Sequence, residues 1–263
     1  MCVLTSEFMS RVLIAGIGGI GAALSRRLIV RGTGVHLVGR DEGKLSALAT
    51  ELQALAAKRG LSPALVTSSR ADMVVEADVE RVGAEAAAGG RLTGLVYAVG
   101  SIPLKPLRGS TSRDFVDTYT LNVVGGALLL KACLPLLTGG PAPGSAVFFS
   151  SVAASCGFTN HTAIAAAKGG VEALVRSAAA ELAPKVRVNC VAPSLTDTPL
   201  AARLLGSDAA RKALGDAHPL PRVGTADDSA AAAEWFLDDK WSGWTTGQVL
   251  AVDGGRSTLR HKN

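Results

Sequence analysis

Short aliphatic and β-branched runs alternate along this chain with longer stretches of helical periodicity. Arg11–Ala15 (RVLIA) reads as a buried strand and Gly19–Arg31 as a helix. Val35–Val38 and Ala64–Thr67 read as the next two strands, with a helix over Asp41–Lys58 between them. A helix over Val75–Ala88 leads to a strand at Leu95–Val99, and a helix over Ser112–Leu137 leads to one at Ala146–Ser150 (AVFFS). A long helix then runs to Leu182, and Val186–Val191 and Gln248–Val252 supply two more strands. Strands that alternate with helices predict an α/β fold whose parallel sheet is covered on both faces. No linker or repeat interrupts the pattern, so residues 11–258 are expected to form one domain, with residues 1–10, ahead of the first strand and holding a second Met at Met9, as a leader.

Composition narrows this picture. With 263 residues, 48% hydrophobic and 19% charged, the chain can bury one large core. The net charge of +5 comes partly from Arg256, Arg260 and Lys262, and the remaining basic residues are interspersed with acids. No basic stripe suited to nucleic acid results. The four cysteines, Cys2, Cys133, Cys156 and Cys190, form no C-x-x-C pair and no zinc-ligand spacing, which predicts reduced thiols in a cytoplasmic protein and no metal. Apolar runs look short and interrupted by charge or glycine, so no membrane span is expected.

The first strand runs into Gly16-Ile17-Gly18-Gly19-Ile20-Gly21 and then a helix. A strand, a glycine turn and a helix N-terminus together present backbone N–H groups to a pyrophosphate. A tight βα turn can use glycine for purely structural reasons, but its place after the first strand favours a dinucleotide. At the end of the second strand, where NAD enzymes place an acid for the ribose hydroxyls, this chain has Gly39-Arg40. A guanidinium there suits a 2′-phosphate, which points to NADP(H). The plain alternative is a surface arginine paired with Asp41.

Further motifs, in order, resemble the short-chain dehydrogenase/reductase family over Arg11 to about Thr258. Ala71-Asp72-Met73 resembles its adenine-contacting segment. Tyr97-Ala98-Val99-Gly100 stands where the family has Asn-Asn-Ala-Gly, and Asn122 matches its helix asparagine. Ser150-Ser151 resembles its serine pair. Pro193-Ser194-Leu195-Thr196-Asp197-Thr198 resembles the segment beside the nicotinamide, with Ser194 for the usual glycine. His218–Gly224 and Thr246–Gly255 resemble its C-terminal signature. The glycine turn departs from the family: two residues, not three, separate Gly16 from Gly19. The resemblance implies a single doubly wound Rossmann domain with a seven-stranded parallel sheet flanked by helices. It also implies NADP(H) contacts at Gly16, Ile17, Gly18, Gly19, Ile20, Gly21, Arg40, Asp72, Met73, Ala98, Val99, Gly100, Lys168, Pro193, Thr196 and Thr198. A homotetramer or homodimer is implied too, packed through Val123–Leu137 and Gly169–Ala183.

One departure bears on the chemistry. The family's proton donor is a tyrosine four residues before its lysine; here Lys168 is preceded at that spacing by Ile164, which has no exchangeable proton. Ser151, thirteen residues before Ile164, keeps the place of the substrate-polarising serine, and Asn122 that of the water-ordering asparagine. His161 lies seven residues before Lys168, about two helical turns, and imidazole exchanges protons near neutral pH. The enoyl reductases of this superfamily carry their tyrosine at that spacing, and the 2,4-dienoyl reductases lack the tyrosine four before the lysine. The catalytic set is thus Ser151, Lys168, Asn122 and His161, acting on a small-molecule ketone or conjugated enone. For His161, capping the helix or orienting substrate are the alternatives; Tyr97 and Tyr119 are weaker proton donors, and Cys156 is expected to line the pocket. A catalytically degenerate NADP(H)-binding protein with a sensing or regulatory role is the competing reading. Residues of about 195–224 are expected to form a substrate lid with an apolar face, where Arg203, Arg211 and Lys212 leave room for an acidic group.

Overall fold

A computed structural model describes residues 10–88 and 91–259; the expected leader up to Met9, and Arg260 and Lys262, lie outside the described residues. In chain order the elements are β1 (Arg11–Ala15), α1 (Gly19–Val30), β2 (Gly34–Gly39), α2 (Glu42–Lys58), β3 (Val66–Arg70), α3 (Glu76–Ala88), β4 (Gly94–Tyr97), α4 (Ser112–Tyr119) and α5 (Gly125–Thr138). There follow β5 (Gly144–Phe149), α6 (Thr162–Leu182), β6 (Val186–Pro193), β7 (Thr196–Asp197), α7 (Asp208–Asp216), β8 (Gly224–Thr225), α8 (Ala226–Leu237), α9 (Asp239–Ser242) and β9 (Val249–Val252).

Seven strands form one parallel sheet in the order β3-β2-β1-β4-β5-β6-β9. The central strands β1, β4, β5 and β6 are buried at every position, because helices cover both faces. Side chains alternate between two cores. Leu13, Leu95, Tyr97 and Phe148 face Val82, Leu129, Leu130 and Val175 of α3, α5 and α6. Ile14, Leu37, Val96 and Val147 face Leu24, Leu48 and Phe236 of α1, α2 and α8. The winding reverses between β1 and β4, which opens a crevice at the carboxyl ends of these two strands.

Three local features depart from the expected pattern. Pro63–Leu65 forms a 3-10 turn capped by Ser62, so β3 starts two residues later than expected and carries Arg70 at its end. The helical stretch over 112–138 is broken by a π turn at Thr120–Val124, where the Leu121 carbonyl accepts a 2.6 Å hydrogen bond from the Tyr97 hydroxyl. Ser112–Thr138 is also long and apolar enough, by length and composition, to cross a membrane, contrary to the expectation of short apolar runs. It packs on α3, α6, β4 and β5 and supplies core residues, the role of a central helix in a globular fold.

Candidate active site

The site is built at the crevice between β1 and β4. Gly16 ends β1 in a left-handed conformation (φ 98°), and a Cβ there would lie 2.5 Å from the Ala98 carbonyl carbon. Only glycine fits this point. Gly18 precedes α1 with no side-chain cap, and nothing lies within 4 Å of where its Cβ would be. The first turn of α1 therefore has no side-chain cap, and the open space beside it lies at Gly18, as an anion cradle requires. Ile17 packs instead on Gly39 at the end of β2.

Beyond β2, Arg40 is exposed, and its guanidinium has no partner among the described residues. Asp41 is committed elsewhere: it caps α2 through Lys44 N (3.0 Å) and lies 3.7 Å from Lys44 Nζ. The expected alternative of an Arg40–Asp41 pair is therefore not what the structure contains. Arg70, in register with Gly39, donates its Nε to the Arg40 carbonyl at 3.3 Å and places a second exposed cation beside the first. Asp72 follows on the same rim and turns Val74 N toward its carboxylate (3.2 Å), while Met73 is buried in the core.

A cavity of about 330 Å³ continues from this turn. Ala98, Val99, Gly100, Ser151, His161, Ile164, Lys168, Pro193, Thr196 and Thr198 all line it. Lys168 is buried, and its Nζ donates to the Phe149 carbonyl at 2.7 Å. Burial pushes its ammonium down to about 8. Asn122 is buried on the π turn; Nδ2 donates to the Thr118 carbonyl (2.8 Å), while Oδ1 has no partner. A Cβ on Gly100 would sit 3.1 Å from that Oδ1 and 3.4 Å from Lys168 Nζ, so both polar groups converge on one side of the cavity. An orphaned buried acceptor beside a buried ammonium, an open glycine turn and an unpaired arginine on one crevice fit a dinucleotide from nicotinamide ribose to adenosine.

Across the cavity, Ser151 caps the short turn Val152–Ala154 by accepting from Ala153 N at 3.2 Å, which leaves its hydroxyl proton free to donate into the cavity. Helix α6 stops one residue short of His161, which is its N-cap residue without a side-chain cap bond. Its Nδ1 lies 2.7 Å from the Thr159 carbonyl. A carbonyl only accepts, so Nδ1 carries the proton and Nε2 is the nitrogen left for proton exchange. Ile164 is 4% exposed and fills the wall between His161 and Lys168.

Several expected roles are corrected. Tyr97 does not line the cavity: its hydroxyl is spent on Leu121, and burial raises its pKa. Tyr119 is exposed with its ring against Gly170. Cys156 does not line the cavity, and its Sγ lies 3.9 Å from the Ser257 carbonyl. In the 195–224 segment, Leu200, Leu204 and Leu214 do line the cavity. Its basic residues do not: Arg211 pairs with Asp197 at 2.6 Å, Lys212 with Asp216 at 2.6 Å, and Arg203 is exposed. The segment is pinned at its base by the β7–β8 pair, Thr196 with Gly224 and Asp197 with Thr225. Thr198 touches the glycine turn, since a Cβ on Gly19 would lie 2.6 Å from its Cγ2. Buried His218 donates Nδ1–H to the Leu214 carbonyl (2.9 Å) and so accepts at Nε2 from Ser194 Oγ (2.8 Å). Ser194 thereby ties the lid to the sheet, a link that a lone histidine in a loop does not announce. Arg256 and Phe158 also line the cavity without any sequence signal having marked them.

Comparison with known proteins covers nearly the whole chain. A family profile described as enoyl-(acyl carrier protein) reductase matches residues 14–257. A tropinone reductase homologue of Arabidopsis thaliana is 32% identical over 254 residues, 95% of this chain and 91% of that protein. An uncharacterised oxidoreductase of Mycobacterium tuberculosis is 30% identical over 245 residues, 93% of this chain and 90% of that one. Among solved structures, a short-chain type dehydrogenase/reductase from Mycobacterium ulcerans superposes with a TM-score of 0.88 at 33% identity, covering 97% of this chain and 92% of that one.

Proposed function

Because the chain belongs to the short-chain dehydrogenase/reductase family, we propose that it is an NADP(H)-dependent oxidoreductase that reduces a ketone or the conjugated C=C bond of an enone, with His161 as proton donor. The observation that carries this reading is the cavity in which Ser151, Lys168 and His161 meet around Ile164. Ile164 stands at the family tyrosine's place, so the proton must come from another wall of the same cavity. His161 lines that cavity, and its Nε2 is left over from the Nδ1 bond to Thr159.

Bound NADPH supplies the hydride. The Ser151 hydroxyl donates to the substrate oxygen and polarises it. Lys168 would hold the nicotinamide ribose hydroxyls, and Asn122, whose buried Oδ1 lacks a partner, would order a water beside that lysine. As the imidazolium, His161 would give its Nε2 proton to the developing oxyanion, be left as the neutral Nδ1–H tautomer and regain a proton from solvent; the Nδ1–H bond to Thr159 fixes the ring throughout. Arg40 and Arg70 take the 2′-phosphate, for which an acid in place of Arg40 would be repulsive.

The test compares the purified protein with His161→Gln on a panel of ketones and enones, following loss of the reduced cofactor. We expect NADPH oxidation by the parent protein and a fall in kcat of about 10²–10⁴-fold in the variant, with NADPH affinity unchanged. Equal turnover by the two proteins removes His161 from the mechanism. NADPH binding without turnover of any panel member favours the sensing or regulatory reading.

A further inference from the structure

We infer that the substrate carries a carboxylate, and that Arg256 binds it. This rests on the reading of the cavity as the substrate site and goes beyond it by naming the chemical class. Among the described residues the cavity lining contains no Asp or Glu, and its basic side chains besides His161 are Lys168 and Arg256. Lys168 is buried at the cofactor end and already donates to Phe149. Arg256, from the C-terminal segment after β9, also lines the cavity and has no acidic partner among the described residues. The acid closest to it in sequence is occupied: Asp253 accepts from Gly255 N (2.8 Å), from Ser257 N (2.8 Å) and from Ser257 Oγ (2.5 Å).

The guanidinium is positioned. Its Cζ lies 5.0 Å from the Phe158 ring centroid, and the Phe158 ring lies 5.4 Å from the His161 ring. One aromatic side chain therefore lies against both the arginine and the proposed proton donor. The backbone is held as well. Gly254 and Gly255 take left-handed conformations (φ 61° and 86°), the Gly254 carbonyl accepts from Leu220 N at 2.9 Å, and the Ser257 carbonyl meets Cys156. A guanidinium stacked on a ring has less side-chain freedom to lose on binding, and its planar fork suits a carboxylate bidentately. Among the described residues nothing supplies this half-buried arginine with an acid, so a bound ligand's carboxylate can take that place.

The rest of the cavity sets the rest of the molecule. Ile102, Leu104, Leu200, Leu204 and Leu214 make an apolar wall. The fitting ligand is an apolar keto acid or enone acid, its carbonyl at Ser151 and its carboxylate at Arg256.

Binding is measured by calorimetry on the NADPH-loaded protein with matched acid and amide pairs: 4-oxo-4-phenylbutanoate, 4-oxo-4-phenylbut-2-enoate and straight-chain 4-oxo acids, each beside its amide. We expect at least one acid to bind about tenfold or more tighter than its amide, with a preference that shrinks as salt is added. Arg256→Gln should erase the preference by weakening the acid alone, and Arg256→Lys should restore part of it, with NADPH affinity unchanged in both. The inference is overturned if no acid in the series binds more tightly than its amide, or if the preference survives in Arg256→Gln. Calorimetry needs no turnover, so a failure of the oxidoreductase reading, seen as absent NADPH oxidation, stays separate from a failure of this one.

Discussion

Replacing Lys168 with methionine should stabilise the fold near neutral pH while it weakens cofactor binding. Lys168 is 7% exposed, and its Nζ is held by one carbonyl, that of Phe149, with no carboxylate in a salt bridge. Burial lowers its ammonium from the ordinary 10.5 to about 8. Below about pH 8 both folded and unfolded chains carry the proton, and the folded state bears the whole desolvation cost. Between about 8 and 10.5 the unfolded chain binds more protons, so the wild-type fold gains stability as pH rises. That window is worth about 3 kcal/mol. Methionine fills similar space without the charge, but it gives up the bond to Phe149, a loss of about 1.5–3 kcal/mol. The net gain at about pH 7 is thus about 1 kcal/mol. The stability advantage of Lys168→Met should then fall by about 3 kcal/mol toward pH 10.5, where it becomes a deficit. Cys190, the titratable neighbour, is pushed up to about 12 by its own burial and stays neutral through most of this window. Urea unfolding of both proteins across the pH series measures the difference directly. A difference that stays flat with pH would show that the lysine is not held as a desolvated cation, and the reasoning would fail.

Arg40→Glu should weaken NADPH binding at least about tenfold, through a lost charge-assisted bond and a new repulsion, and leave NADH binding equal or improved; titration of reduced-cofactor fluorescence reads both. Tyr97→Phe should cost about 1–2 kcal/mol of stability by orphaning the Leu121 carbonyl at the π turn, yet leave kcat unchanged, because the tyrosine is a structural strut. A fall in kcat with unchanged stability would return Tyr97 to the site.

Much of the fold was legible because fully buried strands write continuous aliphatic runs, and their alternation with helices leaves few topologies. Arg40 stood out in the sequence because it follows directly on the end of β2, and Lys168 through its resemblance to the family's active-site lysine. The start of β3 was not, since the 3-10 turn at Pro63–Leu65 consumes residues that look equally suited to a strand. The π turn was hidden as well, because nothing in Thr120–Val124 breaks helical periodicity; it depends on the Tyr97 hydroxyl arriving from β4. Reading the lid for charge went astray because Arg211 and Lys212 are satisfied by neighbours on the same segment. Arg256 and His218 act through contacts with residues distant in sequence, Phe158 and Ser194, and a single arginine or histidine in a loop has no period to reveal it.

The central claim is that this cavity performs reduction, with the family tyrosine replaced by Ile164. Its most direct test is to incubate the protein with NADPH deuterated at the transferable nicotinamide C4 position and the ketone and enone panel, and to read the products by mass spectrometry. Deuterium is expected on carbon in at least one product, one atom for each cofactor consumed. Stoichiometric binding of the cofactor with no deuterium transferred to any panel member would contradict it.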